Sequence, residues 1–136
     1  DLFVLFFFYF HSSIIAYLYL CEQTLGRYGR FDSLAAKCVK AAKKRHLGVT
    51  LTLLLPYHPY DRPTPTPPGF DGTFYPPGME TVPKRAAIVR ANRYMVNHSD
   101  YLIAYAWHPA SNARELVEYA QKREKQGIIR ITILSQ

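Results

Sequence analysis

The chain has 136 residues, of which 49% are hydrophobic and 20% charged, a composition typical of one globular domain and not of a disordered segment. Its formal net charge of +7 favours phosphate-bearing partners, whether a nucleotide, a nucleic acid or an anionic membrane. The two cysteines, Cys21 and Cys38, exclude a disulfide framework and a four-cysteine zinc site. We expect two buried thiols and a cytoplasmic location.

The N-terminal part is unusually apolar. Residues 2–10 (LFVLFFFYF) form a continuous apolar run, and after a His-Ser-Ser break the apolar character resumes over Ile14–Cys21. The whole stretch approaches the ~20 residues that a membrane span needs, but no positive residue precedes Arg27 and the break leaves two strand-length pieces. We therefore expect two buried segments rather than a membrane span, with residues 1–13 atypical. Because the first residue is Asp rather than Met, we also expect a fragment or a processed chain.

Strand and helix signals alternate from residue 14 onward. Ile14–Cys21 is β-branched and aromatic, which predicts a buried strand. A loop over Glu22–Arg30 follows, and Asp32 or Ser33 is expected to cap a helix that ends near His46. The apolar stripe of this helix is predicted to consist of Leu34, Cys38, Ala41 and Ala42, with its cations on the other faces.

A second buried strand, predicted over Val49–Leu55, precedes a long proline-rich segment. Residues 56–82 carry eight of the ten prolines. A loop of that length in a compact domain is usually a binding loop, a lid or a disordered insert. We expect an ordered cover over the site, pinned to the body by aromatic side chains. These are Tyr57, Tyr60, Phe70, Phe74 and Tyr75.

A helix and a third strand follow the proline-rich segment. Pro83 suits a first helical turn, and the pattern predicts a helix from Lys84 to about Asn97. Tyr101–Ala106 (YLIAYA) is predicted as the third strand. The face of the helix toward the core is predicted to carry Ile88, Ala91 and Met95.

The chain ends with one more helix and one more strand. A loop over residues 107–111 leads into a helix from Asn112 to about Gln126, which Gly127 ends, and the last strand is predicted over Ile128–Leu134. Helices between short apolar strands imply parallel pairing with right-handed crossovers. The pattern predicts a single α/β domain over residues 1–136, a three-layer sandwich with a mostly parallel sheet of four or five strands.

Three segments could carry the chemistry, because ligands of such sheets bind beyond the carboxyl ends of the strands. The first is the loop of residues 26–32 (GRYGRFD), whose glycines would let backbone approach a phosphate at the start of the next helix. The alternative is a plain glycine turn with surface arginines. The predicted ligand-binding residues here are Gly26, Arg27, Gly29, Arg30, Phe31 and Asp32.

The second and third segments lie on a helix and at a helix start. Arg90 and Arg93 could clamp a carboxylate or phosphate, and Asn92 borders the core face, where a polar side chain needs a partner. Solvated arginines and a structural hydrogen bond are the alternatives. The segment after the third strand supplies His108, Ser111 and Asn112, which could bind an anion or simply cap the helix. The histidines lack metal-ligand spacing, so no metal site or cofactor is predicted.

Three stretches of sequence resemble the SMF/DprA–LOG, or SLOG, superfamily and more closely its bacterial YpsA-like branch. Residues 26–36 (GRYGRFDSLAA) resemble the glycine loop and helix start, and residues 53–57 (LLLPY) resemble the second strand and its exit. The most specific match is residues 90–104 (RANRYMVNHSDYLIA). The resemblance covers about residues 15–134. The Pro-Gly-Gly-x-Gly-Thr-x-x-Glu motif of the LOG enzymes is absent, so the resemblance does not extend to phosphoribohydrolase activity.

The resemblance implies a Rossmann-like domain that binds a nucleotide or nucleotide-sugar ligand, as a sensor or as an uncharacterised SLOG-type domain. It assigns no reaction and so leaves open whether the protein is an enzyme. A DprA-like module for single-stranded nucleic acid is the alternative, supported by the net charge and by the lysines of residues 37–45. A membrane-attached protein that uses residues 2–20 is a third, less favoured hypothesis, and self-association is a further expectation.

Overall fold

A single sheet contains every strand that the computed structural model describes, and the description covers residues 2–10, 13–18, 30–46, 48–106 and 112–134. Apart from the short β4, the strands follow the apolar runs of the sequence. They are β1 Leu2–Phe10, β2 Ser13–Leu18, β3 Val49–Leu54, β4 Gly72–Phe74, β5 Tyr101–Ala106 and β6 Arg130–Leu134.

Three α-helices are described in the same residues. They are α1 Arg30–Arg45, α2 Ala87–His98 and α3 Asn112–Lys125, and two short 3-10 helices cover Met79–Thr81 and Lys84–Ala86. At the end of α3, Gly127 takes a φ of +77° and donates its N–H to Glu124 at 2.9 Å, the left-handed stop that glycine allows. None of the described helices combines the length and the apolar character that crossing a membrane requires.

The strand order is β4-β3-β2-β1-β5-β6. The pairs β2–β3, β3–β4 and β5–β6 are parallel, whereas β1 runs antiparallel to both of its neighbours, β2 and β5. Five of the described strands therefore share one direction, with β1 inserted among them. This confirms the predicted α/β class with a mostly parallel sheet.

The sheet has six described strands, not four or five. The first additional strand is β1, which is formed by the apolar run of residues 2–10. A continuous apolar run indicates burial but does not distinguish a strand from a helix. The second is β4, which lies inside the segment predicted as a loop over residues 56–82. Three residues are too few to show an alternating pattern, and the parallel pairing of Gly72–Phe74 with β3 is what makes them a strand.

Helices cover both faces of the sheet. Successive residues of a strand point to opposite sides, so one strand contributes side chains to both cores. On one face Leu51 and Leu53 of β3 pack with Ala36 and Val39 of α1. On the other face Leu54 joins a cluster from β5, α2, α3 and the residue that precedes β6. That cluster consists of Leu54, Met95, Val96, Leu102, Ala104, Leu116, Ala120 and Ile129.

The inner face of α1 differs from the predicted stripe. Cys38 and Ala41 are exposed, and Cys38 is therefore not a buried thiol; Cys21 lies outside the described residues. The buried side chains are Ala36 and Val39, and helical spacing places Lys40 and Lys43 on the same side. Long lysine stems can lie along apolar surface while their ammonium groups reach polar partners. A prediction of the inner face of a helix from its apolar residues alone does not include such lysines.

The start of α1 also differs from expectation. The helix begins at Arg30, so Asp32 and Ser33 lie within its first turn instead of capping it from outside. The predicted loop over Glu22–Arg30 therefore ends one residue earlier than expected, and residues 19–29 lie outside the described part of the chain.

The proline-rich segment is fastened to the body at Asp71. The Asp71 carboxylate accepts hydrogen bonds from the Lys43 ammonium at 2.6 Å and from the Leu51 N–H at 2.8 Å. The Asp71 N–H in turn donates to the Leu51 carbonyl at 2.8 Å. One aspartate thus joins the segment to both α1 and β3.

Four of the five aromatic residues predicted to pin this segment do pack against the body. Phe70 lies against the α1 face of the core and Phe74 against the opposite face, while Tyr57 and Tyr75 surround Met79, Ala87 and Ala91. Tyr60 was wrongly included, because 92% of its surface is exposed. It lies in a turn where its ring stacks only on His58 among the described contacts, with 5.9 Å between the ring centroids.

Candidate functional site

The carboxyl ends of the five co-directional strands meet at one edge of the sheet, which we call the carboxyl edge. Chain order runs outward from β2 through β3 to β4 on one side and from β5 to β6 on the other. Ligands of open α/β sheets bind where this direction reverses, outside the carboxyl ends of the strands. The reversal lies between β2 and β5.

The antiparallel strand β1 occupies that reversal point. Leu5 pairs with Leu18 at the end of β2, and Leu2 pairs with Ala106 at the end of β5. Adjacent strands are about 4.8 Å apart, so the ends of β2 and β5 are separated by about 10 Å. A ligand at this point would meet the beginning of β1 between the two strand exits.

Both predicted ligand-binding loops leave the sheet at this edge. Residues 19–29 follow β2, and residues 107–111 follow β5. Helix α1 must begin at the carboxyl edge, because its far end leads through Gly48, whose carbonyl accepts from Ile14 at the opposite end of β2 at 2.7 Å. Helix α3 likewise starts after the exit of β5 and leads back to β6.

The structure describes only part of the predicted site. Arg30, Phe31 and Asp32 form the first turn of α1, and Asn112 is the first residue of α3. The remaining predicted loop residues lie outside the described residues; they are Gly26, Arg27, Gly29, His108 and Ser111. Of the predicted residues, Arg30 and Asn112 mark the starts of the two helices that follow the exits of β2 and β5.

The α2 residues lie on two different surfaces. Asn92 is buried, with 5% of its surface exposed, and it lines a narrow cleft between α2 and α3 together with Arg93 and Glu115. The cleft volume is about 10 Å³, about enough for one water molecule. Arg90 is exposed. The expectation that Asn92 borders the core is confirmed, and the cleft beside it opens near the start of α3.

Arg93 lies against an aromatic ring. Its guanidinium carbon is 5.2 Å from the ring centroid of Tyr119, and Arg123 lies at the same distance from that ring. The Tyr119 hydroxyl accepts a hydrogen bond from Arg123 at 3.1 Å and donates one to Asn97 at 3.0 Å. Burial alone would raise the pKa of Tyr119, but the hydrogen bonds and positive charge of Arg123, together with Arg93, lower it below its usual value. The Tyr119 ring thus lies between two guanidinium groups on the surface between α2 and α3.

A separate cavity of about 230 Å³ lies beyond the carboxyl ends of β3 and β4, and we call it the β3–β4 cavity. Buried Met79 and Ala87 form apolar parts of its wall. Three half-buried aromatic rings add flat surfaces; they belong to Tyr57, His58 and Tyr75. The rings of His58 and Tyr75 meet edge to face, with centroids 5.2 Å apart.

The charged groups of the β3–β4 cavity are two carboxylates and one ammonium, from Asp61, Glu80 and Lys84. Burial raises the pKa of the Tyr75 phenol, and the negative charges of Glu80 and Asp61 raise it further. Among the residues that line the cavity, the carboxylates outnumber the ammonium by one, and the Arg62 guanidinium lies next to the Tyr57 ring. Within the described residues, no three His, Cys, Asp or Glu side chains gather closely enough to hold a metal ion.

None of the predicted ligand-binding residues lines the β3–β4 cavity, although Tyr57 and Tyr75 of its wall belong to the proline-rich segment that was predicted to cover the site. A further signal was available, since Pro56, Tyr57 and His58 come after Leu55 at the carboxyl end of β3, which belongs to the ligand-binding edge. The other walls come from the interior of the proline-rich segment and from the start of α2, and only the folded chain brings them together. Comparison with known proteins gives no family model that matches the chain, and no matching curated protein or solved structure.

Proposed function

We propose that this chain is a Rossmann-like domain of SLOG type, a three-layer sandwich that binds a nucleotide-derived, phosphate-bearing ligand at the carboxyl edge of its sheet. Its role would be that of a sensor or binding domain in the cytoplasm. The observation that carries the proposal is the strand order, in which the exits of β2 and β5 flank the reversal point. Both exits lead, through the two segments singled out in the sequence, into the first turns of helices.

The chemistry of these segments suits a phosphate. Gly26 and Gly29 would allow close backbone approach, and the first-turn N–H groups and dipole of α1 would favour an anion. Arg93 would add positive charge from α2, held in place by the Tyr119 ring. A sugar or base could then extend toward the neighbouring strand exits. The exposed thiol of Cys38 accords with the reducing environment of the cytoplasm.

Single-stranded nucleic acid is the second candidate. Its supporting observation is a set of exposed cations on α1, namely Lys37, Lys44 and Arg45. Two further cations of the same helix already have partners, because Lys43 pairs with Asp71 and the Lys40 ammonium lies 5.8 Å from the Phe70 ring centroid. The nucleotide hypothesis is therefore preferred.

Thermal unfolding with candidate ligands tests the two functions against each other. The panel contains AMP, ATP, NAD, ADP-ribose, cyclic nucleotides and a short single-stranded oligonucleotide, at two salt concentrations. Ligands that bind the folded state raise the melting temperature by mass action. A salt-tolerant rise with one small nucleotide supports the proposal. A rise with the oligonucleotide alone, lost at higher salt, would transfer the protein to the nucleic-acid class.

Arg93→Ala locates the site once a nucleotide is found. The variant is expected to abolish the ligand-induced rise in melting temperature, because it removes the α2 cation that lines the cleft beside Glu115 in the first turn of α3. Arg45→Ala, at the far end of α1, is the matched control with the same charge change and should keep the full rise. Unchanged affinity in Arg93→Ala would contradict the assignment of this arginine.

A further inference from the structure

The β3–β4 cavity lies at the carboxyl edge but is unsuited to a phosphate. We propose that it is the base subsite of the nucleotide site and that it selects a guanine-type base, a planar ring with two adjacent N–H donors on one edge and acceptors on another. This inference rests on the proposed nucleotide-binding function and adds the identity of the base to it.

The size of the cavity fits part of a nucleotide. Pockets for drug-sized ligands have volumes of about 300–1,000 Å³, and this cavity measures about 230 Å³. Its aromatic surfaces come from Tyr57, His58 and Tyr75, and all three are half-buried. Aromatic side chains of this kind bind bases by stacking, whichever base is present. Shape and apolar surface therefore indicate a flat ring but do not determine which base binds.

The charged groups of the cavity determine which base binds. Ionised Asp61 and Glu80 can only accept hydrogen bonds, and Lys84 can only donate them. Guanine offers a ring N–H and an exocyclic amine to the carboxylates, and its carbonyl O6 and N7 accept from an ammonium. Adenine has one exocyclic amine, and its ring nitrogens that lack a hydrogen would face the carboxylates with lone pairs. The two carboxylates thus favour guanine and repel phosphate.

A free organic cation fits the same walls less completely. It would satisfy the carboxylates and the aromatic rings, but it would meet the like charge of Lys84. The Tyr57 ring also already carries a cation, since the Arg62 guanidinium lies 4.1 Å from its centroid. A guanine-type base accounts for the rings, the carboxylates and the ammonium together.

The position of the cavity matches the length of a nucleotide. Leu18 at the end of β2 pairs with Leu53 near the end of β3, and Leu54 pairs with Phe74 at the end of β4. The cavity therefore lies one to two strand spacings, about 5–10 Å, from the exit of β2. The glycine-containing segment that would hold the phosphate starts at that exit.

Isothermal titration calorimetry of the full chain with GMP and AMP tests the selection. We expect GMP to bind at least tenfold more tightly than AMP, the discrimination expected from one hydrogen bond to a charged group. Glu80→Gln should reduce this ratio below threefold, since an amide presents a donor to the exocyclic amine. Glu118→Gln on α3, outside the cavity, makes the same charge change and should keep the full ratio.

Asp61→Asn provides an independent second variant, with the same expected loss of preference for GMP. Both acids are exposed in the free protein, and circular dichroism checks that each variant is folded. Equal affinity of the wild type for GMP and AMP would overturn the inference. So would a tenfold preference that survives in both variants.

Two smaller probes separate this inference from the proposed function. Guanosine lacks the phosphate, and ribose 5-phosphate lacks the base. If guanosine binds as tightly as GMP and ribose 5-phosphate does not bind, phosphate recognition fails while the base subsite stands. If GMP and AMP bind alike and Arg93→Ala abolishes both, the nucleotide site stands and the base assignment fails. Failure of all four probes to bind would overturn both.

Discussion

Asp71 is the residue at which the proline-rich segment, α1 and β3 meet. We expect Asp71→Asn to lower the free energy of unfolding at pH 7 by about 1 kcal/mol, because a neutral amide binds the Lys43 ammonium less strongly than a carboxylate does. The expected loss of stability is small because 41% of the Asp71 side chain is exposed and water screens its interaction with Lys43. Urea unfolding of the variant and the wild type measures the difference.

The same residue gives a pH dependence with a defined sign. The hydrogen bond from Lys43, followed by that from the Leu51 N–H, lowers the pKa of Asp71 in the folded state. This stabilisation is present above the unfolded pKa of ~3.9 and is lost as the pH falls through the lower folded value. The difference between Asp71→Asn and the wild type should therefore shrink below about pH 4. A difference that is constant between pH 7 and pH 3 would contradict this role of the carboxylate.

Cys38 gives a second test at the scale of one side chain. Because its side chain is exposed on α1, the native protein should react with a thiol reagent at this position without unfolding. Labelling followed by mass spectrometry of the peptides measures the modification, and Cys38→Ser should remove it. If Cys38 reacts only after the protein is denatured, its thiol is buried, as the sequence pattern predicts, and the exposed position is wrong.

Gly69 tests how the turn before β4 is built. Its φ of +85° is a conformation that other residues adopt only with strain, and an added Cβ would clash with Cε of Lys40. The lysine end is flexible and can move away, so the backbone strain decides the effect. Gly69→Ala should cost about 1–2 kcal/mol in chemical denaturation. Gly72→Ala, where an added Cβ meets nothing, is the control.

The elements differ in how far sequence could predict them. The buried strand β3, the strand β5 and the start of α3 lie where apolar runs and capping residues indicate them. The inner face of α1 could not be read in this way, because Lys40 and Lys43 occupy it and reach partners in a distant segment. The strand β4 depends entirely on the pairing that β3 offers.

The candidate site was predictable to a similar extent. The rule about carboxyl ends of strands identifies the exits of β2 and β5, which the strand order places at one edge, and the burial of Asn92 follows from helical spacing. The β3–β4 cavity could not be derived, because Asp61 and Glu80 come together only through the path of the proline-rich segment. Periodicity carries no information about such a path.

At the scale of the whole molecule, β1 is the strand on which the sheet depends. It pairs along six residues with β2 and along six with β5, so it joins the two halves of the sheet. Removing residues 1–10 is expected to abolish cooperative thermal unfolding, because both central strands would lose a partner. Circular dichroism measures the transition. A truncated chain that still unfolds in one sharp transition would contradict this role.

The central place of β1 also determines the order in which the sheet can be completed during synthesis. The hairpin of β1 and β2 can form as soon as both strands have left the ribosome. The second edge of β1 stays unpaired until β5 is synthesised, because Phe7 pairs there with Tyr101. In that interval the nascent chain presents an apolar strand with an open hydrogen-bonding edge, the kind of surface to which other chains add. Folding of this protein in the cell should therefore depend on chaperones that shield the hairpin until translation has passed β5.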